Sequence, residues 1–398
     1  MIKGRKKRVA ILGSTGSVGT QSIEVVDNFR DRFEVVGLCA ERNFKVLAEQ
    51  VLKYKPKYVW ISNEKKNDFE GELKRRNFDL RFEYIPPSKL VLLDDVDLVV
   101  VGIPGFSSVE PVFYAVSGGK EVAVASKEAI LCAGSLIFDL AKKNGAKILP
   151  VDSEHSSLWK IIDLYPRESI KRVFLTASGG PLWNLPKSEI ENAPYEKVIK
   201  HPVWSMGTKI TVDSASLMNK AFEIIEACYL FSLEPEKVSV KIHPEAIVHS
   251  AIELKDGTTI FSSHFPDMRI PIMYAMLYPE IPDLPFEIPS IWDKTLRFFD
   301  PDFERFPSLL LGWKCAKLGG PFPCILVSAD DVAFSYFVEG KIRFWDIYSV
   351  VEKTISYFEK NKTLLPSKIS SFDDIIRVSD ISKQVARNFA EEHRRVSL

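Results

Sequence analysis

The sequence predicts an α/β protein: a doubly wound parallel sheet, then an α+β domain and a small C-terminal helical bundle. Short apolar runs alternate with amphipathic stretches over residues 1–150. Longer strands with polar alternation follow up to residue 278, and helical periodicity dominates beyond residue 308. At roughly 150 residues per domain, the 398 residues correspond to two to three domains.

The first predicted domain covers residues 1–150. Several of its strands are apolar throughout, as expected when helices cover both faces of a parallel sheet. This pattern indicates a Rossmann-like fold. The candidate strands are Arg8–Leu12, Glu34–Cys39, Tyr58–Ile61, Leu98–Gly102, Glu121–Ala125 and Lys147–Leu149.

Three further parts follow. Residues 151–278 form the predicted α+β domain, with candidate strands Val238–Ile242, Ile247–Leu254 and Thr258–Ser262. Four closely spaced prolines, which suit neither a helix interior nor a central strand, indicate a linker over residues 279–307. Residues 308–398 then form the predicted helical domain.

Composition and charge exclude several classes of partner. The 53 basic and 53 acidic residues balance, so the chain lacks the positive field of a general nucleic-acid binder. No run of 18 apolar residues indicates a membrane span, and the basic start from Lys3 to Arg8 enters a strand instead of a signal-peptide core. The five cysteines contain no C-x-x-C pair, which suits a reducing compartment. We expect a cytoplasmic protein that binds small molecules.

A glycine-rich turn, Gly13–Gly19, follows the first strand and precedes an amphipathic helix. Glycines let the backbone approach a pyrophosphate, and the helix N-terminus stabilises its charge. This context favours dinucleotide binding over a turn that only packs. Where the second strand ends, Glu41, Arg42 and Asn43 meet the expected position of the ribose. An acid there favours NAD and a cation favours NADP, and Asn43, as a further neutral donor, shifts the prediction to NADP.

A polar cluster occupies the middle of the chain. Asp152 and Glu154 point to the same side if the chain there is extended, and could then bind a hard divalent cation. After a predicted strand end at Val212, a helix places Asn219, Lys220 and Glu223 on one face. The alternatives are surface acids and an exposed Lys220–Glu223 ion pair. The apolar neighbours of this helix favour burial. A buried polar stripe needs partners, and a phosphate together with a metal would supply them.

Two loops extend the candidate site. Thr176–Pro181 follows an apolar strand and suits an anion-binding nest, with Ser178 as a hydroxyl donor. In His201–Gly207, a proline and a glycine flank the large aromatic Trp204, a composition typical of a loop that closes over a site. We therefore predict a lid loop over residues 201–209. Trp204 also suits a core position.

Three further histidines are predicted to have structural roles. His243 and His249 lie on or next to candidate strands and are predicted to be structural. His155 is predicted to orient the acidic segment.

These motifs resemble those of the 1-deoxy-D-xylulose 5-phosphate reductoisomerase family. The resemblance covers the first two predicted domains, and the order and spacing of the motifs make it specific. The motifs are Leu12–Gly19, Ser126–Leu131, Leu149–Ser156, Thr176–Pro181, His201–Gly207, Val212–Ala227 and Pro266–Arg269.

The resemblance implies a role for each matching residue. The implied metal ligands, for Mg²⁺ or Mn²⁺, are Asp152, Glu154 and Glu223, and the catalytic set adds Lys127 and His201. The implied substrate contacts are Lys127, Ser153, Glu154, Ser178, His201, Trp204, Ser214, Asn219, Lys220 and Glu223. The implied NADPH contacts are Thr15, Gly16, Ser17, Val18, Arg42, Asn43, Ser126, Glu128 and Gly207.

The implied reaction is a metal-dependent rearrangement of a sugar phosphate, 1-deoxy-D-xylulose 5-phosphate, followed by reduction with NADPH to 2-C-methyl-D-erythritol 4-phosphate in isoprenoid precursor biosynthesis. The family also implies a homodimer. Two departures from its usual pattern are Ser126, where asparagine is common, and Glu41. The alternative function is a metal-dependent aldolase or sugar-phosphate isomerase with a tightly bound dinucleotide. A dinucleotide-sensing regulator would not need three carboxylates beside a basic and amide stripe.

Overall fold

The computed structural model describes residues 5–78, 81–204 and 207–396. Lys3 at the basic start, and Ser205 and Met206 in the predicted lid loop, lie outside the described residues. The chain forms two compact units. The first comprises the described residues up to Ala129, Ile137–Asp152 and Asp267–Glu287, and the second comprises Ile130–Leu136, Ser153–Pro266 and the described residues from Ile288 onward.

A parallel sheet of seven strands forms the first unit, so the predicted doubly wound fold is confirmed. The strands lie in the order β4-β3-β2-β1-β5-β6-β7, and the order reverses between β1 and β5. This switch point is where such sheets bind ligands. The strands are β1 (Lys7–Leu12), β2 (Phe33–Ala40), β3 (Tyr58–Ile61), β4 (Glu83–Tyr84), β5 (Leu98–Val101), β6 (Glu121–Val124) and β7 (Lys147–Pro150).

Helices cover this sheet because its central strands are apolar on both sides. All four residues of β5 are buried, as a parallel strand between two helical layers requires. The helices in chain order are α1 (Ser17–Asn28), α2 (Phe44–Tyr54), α3 (Asn63–Arg75), α4 (Pro87–Leu90) and α5 (Val109–Ser117). Two more, α6 (Lys127–Ala133) and α7 (Ser135–Asn144), contain residues of both units.

The first unit also includes a segment from later in the chain. Helix α13 (Arg269–Leu277) packs against α1, and the Arg269 guanidinium lies 3.3 Å from the Glu24 carboxylate of α1. The segment continues to Glu287, within the predicted linker. The compact units therefore divide the chain at points other than 150 and 278, and the four-part domain division stays a prediction.

The second unit contains a mixed sheet of four strands in the order β11-β10-β8-β9. Strand β8 pairs antiparallel with β10 and parallel with β9, in agreement with the predicted partly antiparallel sheet. Its strands are β8 (Ile170–Ala177), β9 (Val238–Ile242), β10 (Val248–Leu254) and β11 (Thr259–Ser263). Its first helices are α8 (Ser153–Ile161), α9 (Lys187–Glu191), α10 (Tyr195–Val198), α11 (Thr208–Ala215) and α12 (Met218–Phe231).

The C-terminal helices of the second unit form the predicted bundle. They are α14 (Ser308–Leu318), α15 (Phe322–Val338), α16 (Phe344–Lys360) and α17 (Phe372–Val396). Helix α15 packs against both α16 and α17, and most of its residues are buried. Within the described ranges, no helix combines the length and apolar character that crossing a membrane requires.

Candidate active site

The glycine-rich turn of the first unit joins β1 to α1 in a conformation that depends on its glycines. Gly13 has φ +76°, and a Cβ there would lie 2.7 Å from the carbonyl oxygen of Gly102. A Cβ on Gly19 would lie 2.2 Å from the Gly13 carbonyl oxygen. No side chain caps the first turn of α1 at Gly16, so its backbone N–H groups remain available to an anion. The predicted cofactor residues Thr15, Gly16, Ser17 and Val18 form this turn and the start of α1.

The residues predicted to meet the ribose follow β2. Glu41, Arg42 and Asn43 are all exposed, and neither charged side chain makes an ion pair within the described residues. Asn43 caps helix α2, since its Oδ1 accepts a hydrogen bond from the Val46 N–H at 3.3 Å. Its amide nitrogen keeps two donors for a ligand.

Where β6 ends, a buried hydroxyl pair organises the next cofactor segment. The Ser126 hydroxyl contacts that of Ser108 and donates to Glu128 Oε2 at 2.9 Å, and the Gly105 N–H donates to Glu128 Oε1 at 3.1 Å. Ser126 is 5% exposed, so its hydroxyl faces protein groups. Lys127 follows, and its Nζ lies 2.6 Å from Asp152 Oδ2 at the end of β7.

In the second unit, two predicted metal ligands converge on one ammonium group. Lys220 Nζ bonds to Glu223 Oε2 and lies 3.9 Å from Glu154 Oε1. Asn219 Nδ2 donates to Glu223 Oε1 at 2.6 Å, and Ser153 Oγ donates to Glu154 Oε2 at 2.7 Å. Lys220 and Glu223 are buried, so the alternative of an exposed ion pair is wrong.

Two local predictions around these residues are wrong. Asp152 and Glu154 do not lie on one extended segment, because helix α8 begins at Ser153. The segment around Val212 is helix α11, not a strand end, and Leu217 with φ +58° separates it from α12. Helix α12 nevertheless carries the predicted polar stripe.

Two buried histidines lie close to glutamates of this region. His155 Nε2 lies 3.0 Å from the Glu223 carbonyl oxygen, and its Nδ1 lies 3.4 Å from Glu226 Oε2. His249, on β10, places Nδ1 3.5 Å from Glu154 Oε1. Neither His249 nor Glu226 is among the predicted site residues, and the structural role predicted for His249 stays a prediction. The i, i+3 spacing of Glu226 from Glu223 was a usable signal, whereas the His249 contact depends on the pairing of distant strands.

The predicted anion loop and lid meet through a hydrogen bond. The His201 ring accepts hydrogen bonds at Nδ1 from the N–H groups of Val203 and Trp204, at 3.1 and 2.9 Å. The proton of the neutral ring is therefore on Nε2, which donates to Ser178 Oγ at 3.0 Å. Burial lowers the pKa of His201 to about 4, so the ring is neutral at physiological pH.

The turn after Ser178 packs directly on the substrate segment of α11. Gly180 has φ +72°, and a Cβ there would lie 2.5 Å from the Ser214 carbonyl oxygen. This close approach brings Ser178 and Ser214 to the same region. Of the predicted lid loop 201–209, Thr208 and Lys209 belong to α11, and the exposed Gly207 caps this helix.

The first unit has the turn of a dinucleotide-binding domain and the second has buried carboxylates beside amide and hydroxyl donors. These features define the class as metal-dependent dinucleotide oxidoreductases. A 1-deoxy-D-xylulose 5-phosphate reductoisomerase family model matches residues 9–134, its C-terminal domain model matches residues 148–231, and a DXP reductoisomerase C-terminal domain model matches residues 264–385.

Relatives and solved structures agree. The chain is 40% identical over 390 residues to the 1-deoxy-D-xylulose 5-phosphate reductoisomerase of Sulfurihydrogenibium sp. (strain YO3AOP1), covering 97% of this chain and 99% of the relative. It is 39% identical to that of Thermodesulfovibrio yellowstonii, covering 96% and 98%. The chain belongs to the 1-deoxy-D-xylulose 5-phosphate reductoisomerase family.

Two solved structures share the fold over nearly the whole chain. A DOX-P reductoisomerase in complex with NADPH, fosmidomycin and magnesium has a TM-score of 0.87 at 29% identity, covering 97% of this chain and 98% of that one. The enzyme from Zymomonas mobilis in complex with NADPH has a TM-score of 0.86 at 31% identity, covering 97% and 100%. The predicted fold and family are confirmed.

Proposed function

We propose that Asp152, Glu154 and Glu223 hold the divalent metal of this reductoisomerase. The chain is an NADPH- and metal-dependent oxidoreductase that isomerises and reduces 1-deoxy-D-xylulose 5-phosphate to 2-C-methyl-D-erythritol 4-phosphate. The observation that carries the residue assignment is the convergence of Glu154 and Glu223 on Lys220.

The donor chemistry fits Mg²⁺ or Mn²⁺. Both metals prefer oxygen ligands, and the proposed set consists of carboxylates. Buried carboxylates need compensating positive charge. The Lys127 and Lys220 ammonium groups lie beside Asp152 and Glu223, and a bound divalent cation would share that role. Asp152 is peptide-bonded to Ser153, so the chain itself keeps it within two residues of Glu154.

The bound metal supplies stabilisation of negative charge on substrate oxygens, and NADPH supplies the hydride. Lys127 adds a positive charge beside Asp152, already in position before the charge develops. Lys220, on α12, acts similarly toward the phosphate end. Because these groups are held by protein contacts, they need little reorganisation during the reaction.

The substrate phosphate is bound by donors that the structure already orients. The Ser178 oxygen receives hydrogen bonds from His201 Nε2 and from the Gly180 N–H, so its own proton is left for a phosphate oxygen. Ser153, Ser214, Asn219 and Lys220 complete the proposed donor set. Binding energy at the phosphate positions the reacting end of the sugar. Trp204, held near His249 with ring centroids 6.4 Å apart, closes over it and excludes water.

The cofactor is bound by backbone and side-chain donors of separate segments. Thr15, Gly16, Ser17 and Val18 face the pyrophosphate, Arg42 and Asn43 face the 2′-phosphate, and Glu128 and Gly207 supply further contacts. Ser126 acts through Glu128, because its hydroxyl already contacts Ser108 and Glu128.

A homodimer and a cytoplasmic location complete the proposal. Phe261 lies on edge strand β11, is 52% exposed, and stacks on Phe298 at 5.7 Å. Trp292 is 94% exposed in the same unit. A second copy that covers the Phe261 and Phe298 rings gains apolar contact. Replacing Phe261 with lysine should convert the dimer to a monomer in light scattering. The five cysteines are free and four are buried, which suits a reducing compartment.

The decisive test follows NADPH oxidation on addition of 1-deoxy-D-xylulose 5-phosphate with Mg²⁺ or Mn²⁺. Glu154→Gln should abolish most turnover and metal dependence while the fluorescence of bound NADPH stays unchanged. The matched control is Glu253→Gln, which changes a glutamate paired with Lys171 at the surface of the same unit. Wild-type rates in Glu154→Gln would contradict the ligand assignment. Sugar-phosphate turnover without NADPH consumption would favour the aldolase or isomerase alternative.

A further inference from the structure

A charged cluster lies in the second unit outside the residues assigned to metal, substrate or cofactor. The Lys209 ammonium lies 2.6 Å from Asp213 Oδ2 and also donates to Asp330 Oδ2. The side chains of Asp213 and Asp330 are only 6% and 1% exposed. Lys209 and Asp213 are one turn apart on α11, whereas Asp330 belongs to α15. The cluster therefore connects α11, whose first two residues belong to the predicted lid loop, to the C-terminal bundle.

The carboxylates of this cluster favour the charged form of Lys209. Burial by itself lowers the pKa of Lys209, but the carboxylates of Asp213 and Asp330 outweigh burial and raise that pKa well above the ordinary value. The Phe222 and Phe334 rings lie 5.6 and 5.5 Å from the ammonium. Asp330 Oδ1 is buried and has no hydrogen-bond partner within the described residues, so Lys209 is what compensates its charge.

The position of α11 links this cluster to substrate binding. The helix begins directly after Gly207, inside the predicted lid loop 201–209, and Ser214 lies in its last turn. The Gly180 turn packs on the Ser214 carbonyl oxygen, and α12 with its polar stripe follows after Leu217. A small displacement of α11 would therefore move both the lid attachment and a proposed phosphate donor.

We propose that Lys209 and Asp330 are positioning residues, which fix α11 so that Ser214 holds the sugar phosphate in place. This inference rests on the proposed role of Ser214 in phosphate binding. It assigns to the C-terminal bundle a part in substrate affinity. A buried ion pair contributes little more to the free energy of unfolding than apolar residues of similar size would. We therefore assign to the Lys209–Asp330 pair the role of fixing the position of α11.

The test compares two substitutions of Asp330. Asp330→Leu removes the tie and should raise the KM for 1-deoxy-D-xylulose 5-phosphate about tenfold, with kcat within about twofold, since only binding geometry is lost. The inhibition constant of inorganic phosphate should rise by a similar factor, and the dissociation constant of NADPH should not change. Asp330→Asn keeps an acceptor for Lys209 and should restore most of the affinity.

The control separates positioning from general destabilisation. Asp346→Leu removes another buried aspartate of the bundle, which caps α16 through Arg343. It should lower the melting temperature without changing the KM. If Asp330→Leu lowers only the melting temperature, the positioning role is wrong. If that variant does not fold, Lys209→Gln replaces it, with Lys209→Arg as its conservative partner and the same expected KM change.

A double substitution tests the route. If Asp330 acts through α11, the KM effects of Asp330→Leu and Ser214→Ala should be less than multiplicative, because both disturb the same contact. Fully multiplicative effects would overturn the proposed route. An unchanged KM in Ser214→Ala alone would instead contradict the phosphate assignment of Ser214, a failure distinct from an unchanged KM in Asp330→Leu.

Discussion

The His201 imidazole is expected to stay neutral at pH values where a free histidine is charged. Two backbone N–H groups donate into Nδ1, at 3.1 and 2.9 Å, so a proton on that nitrogen would displace both. Burial lowers the pKa of His201 from 6.5 to about 4. The Nε2–H tautomer should therefore persist to about pH 5, with its hydrogen bond to Ser178 intact.

The magnitude follows from this pKa change. A fall from 6.5 to about 4 corresponds to at most about 3.4 kcal/mol, and solvent screening of this half-buried ring reduces it to roughly 1–2 kcal/mol. Because the folded-state pKa lies below the unfolded-state value, the unfolded chain binds more protons in acid. The free energy of unfolding should fall as the pH drops from about 6.5 toward 4, with no contribution from His201 above pH 7.

Nitrogen-15 NMR of the imidazole groups tests the tautomer directly, because the chain has only six histidines. The His201 signals are assigned from their loss in His201→Gln. Urea unfolding at pH 7 and pH 5 should show the wild type losing about 1 kcal/mol more than this variant. A titration midpoint near pH 6.5, or equal pH dependence in the two proteins, would refute the reasoning.

Three further changes test the two units. Gly19→Ala should lower the free energy of unfolding by about 1–3 kcal/mol in a denaturant titration, because its Cβ would lie 2.2 Å from the Gly13 carbonyl oxygen. The same change should weaken NADPH binding at least tenfold. The control is Gly71→Ala, where a Cβ meets no atom within 4 Å on a helix, and it should raise the free energy of unfolding by about 0.5–1 kcal/mol. Ser126→Ala should raise the NADPH dissociation constant about fivefold, the equivalent of one hydrogen bond of roughly 1 kcal/mol, in a fluorescence titration; unchanged binding would contradict the role of Ser126. Lys220→Met should raise the KM for the sugar phosphate tenfold or more, because a charge-assisted hydrogen bond to the phosphate is lost. Steady-state kinetics measures this change, and an unaltered KM would contradict the assignment of Lys220 to the phosphate site.

The sequence was most informative where spacing along the chain decides geometry. The glycines of the turn after β1 were recognised from their order, and Gly13 and Gly19 indeed occupy positions where a side chain would collide with the backbone. Asn219, Lys220 and Glu223 share a face because three- and four-residue spacing has one meaning on a helix. These contacts follow from helix geometry and do not depend on the tertiary fold.

Where a segment suits both helix and extended chain, its sequence does not decide the backbone conformation. The segment around Val212 is predicted to be a strand end, but tertiary packing makes it helix α11. The same error placed Asp152 and Glu154 on an extended chain, although α8 begins between them. The functional assignment survived because residue chemistry and order, not backbone conformation, carried it.

The sequence by itself determined the doubly wound sheet, the dinucleotide turn, the polar stripe of α12 and the family. Tertiary structure alone decided that His249 meets Glu154 and that Asp330 meets Lys209, 121 residues away along the chain. It also decided that His201 is neutral and directs its proton to Ser178. The physical reason is that burial and strand pairing join residues whose separation in the chain carries no periodic signal.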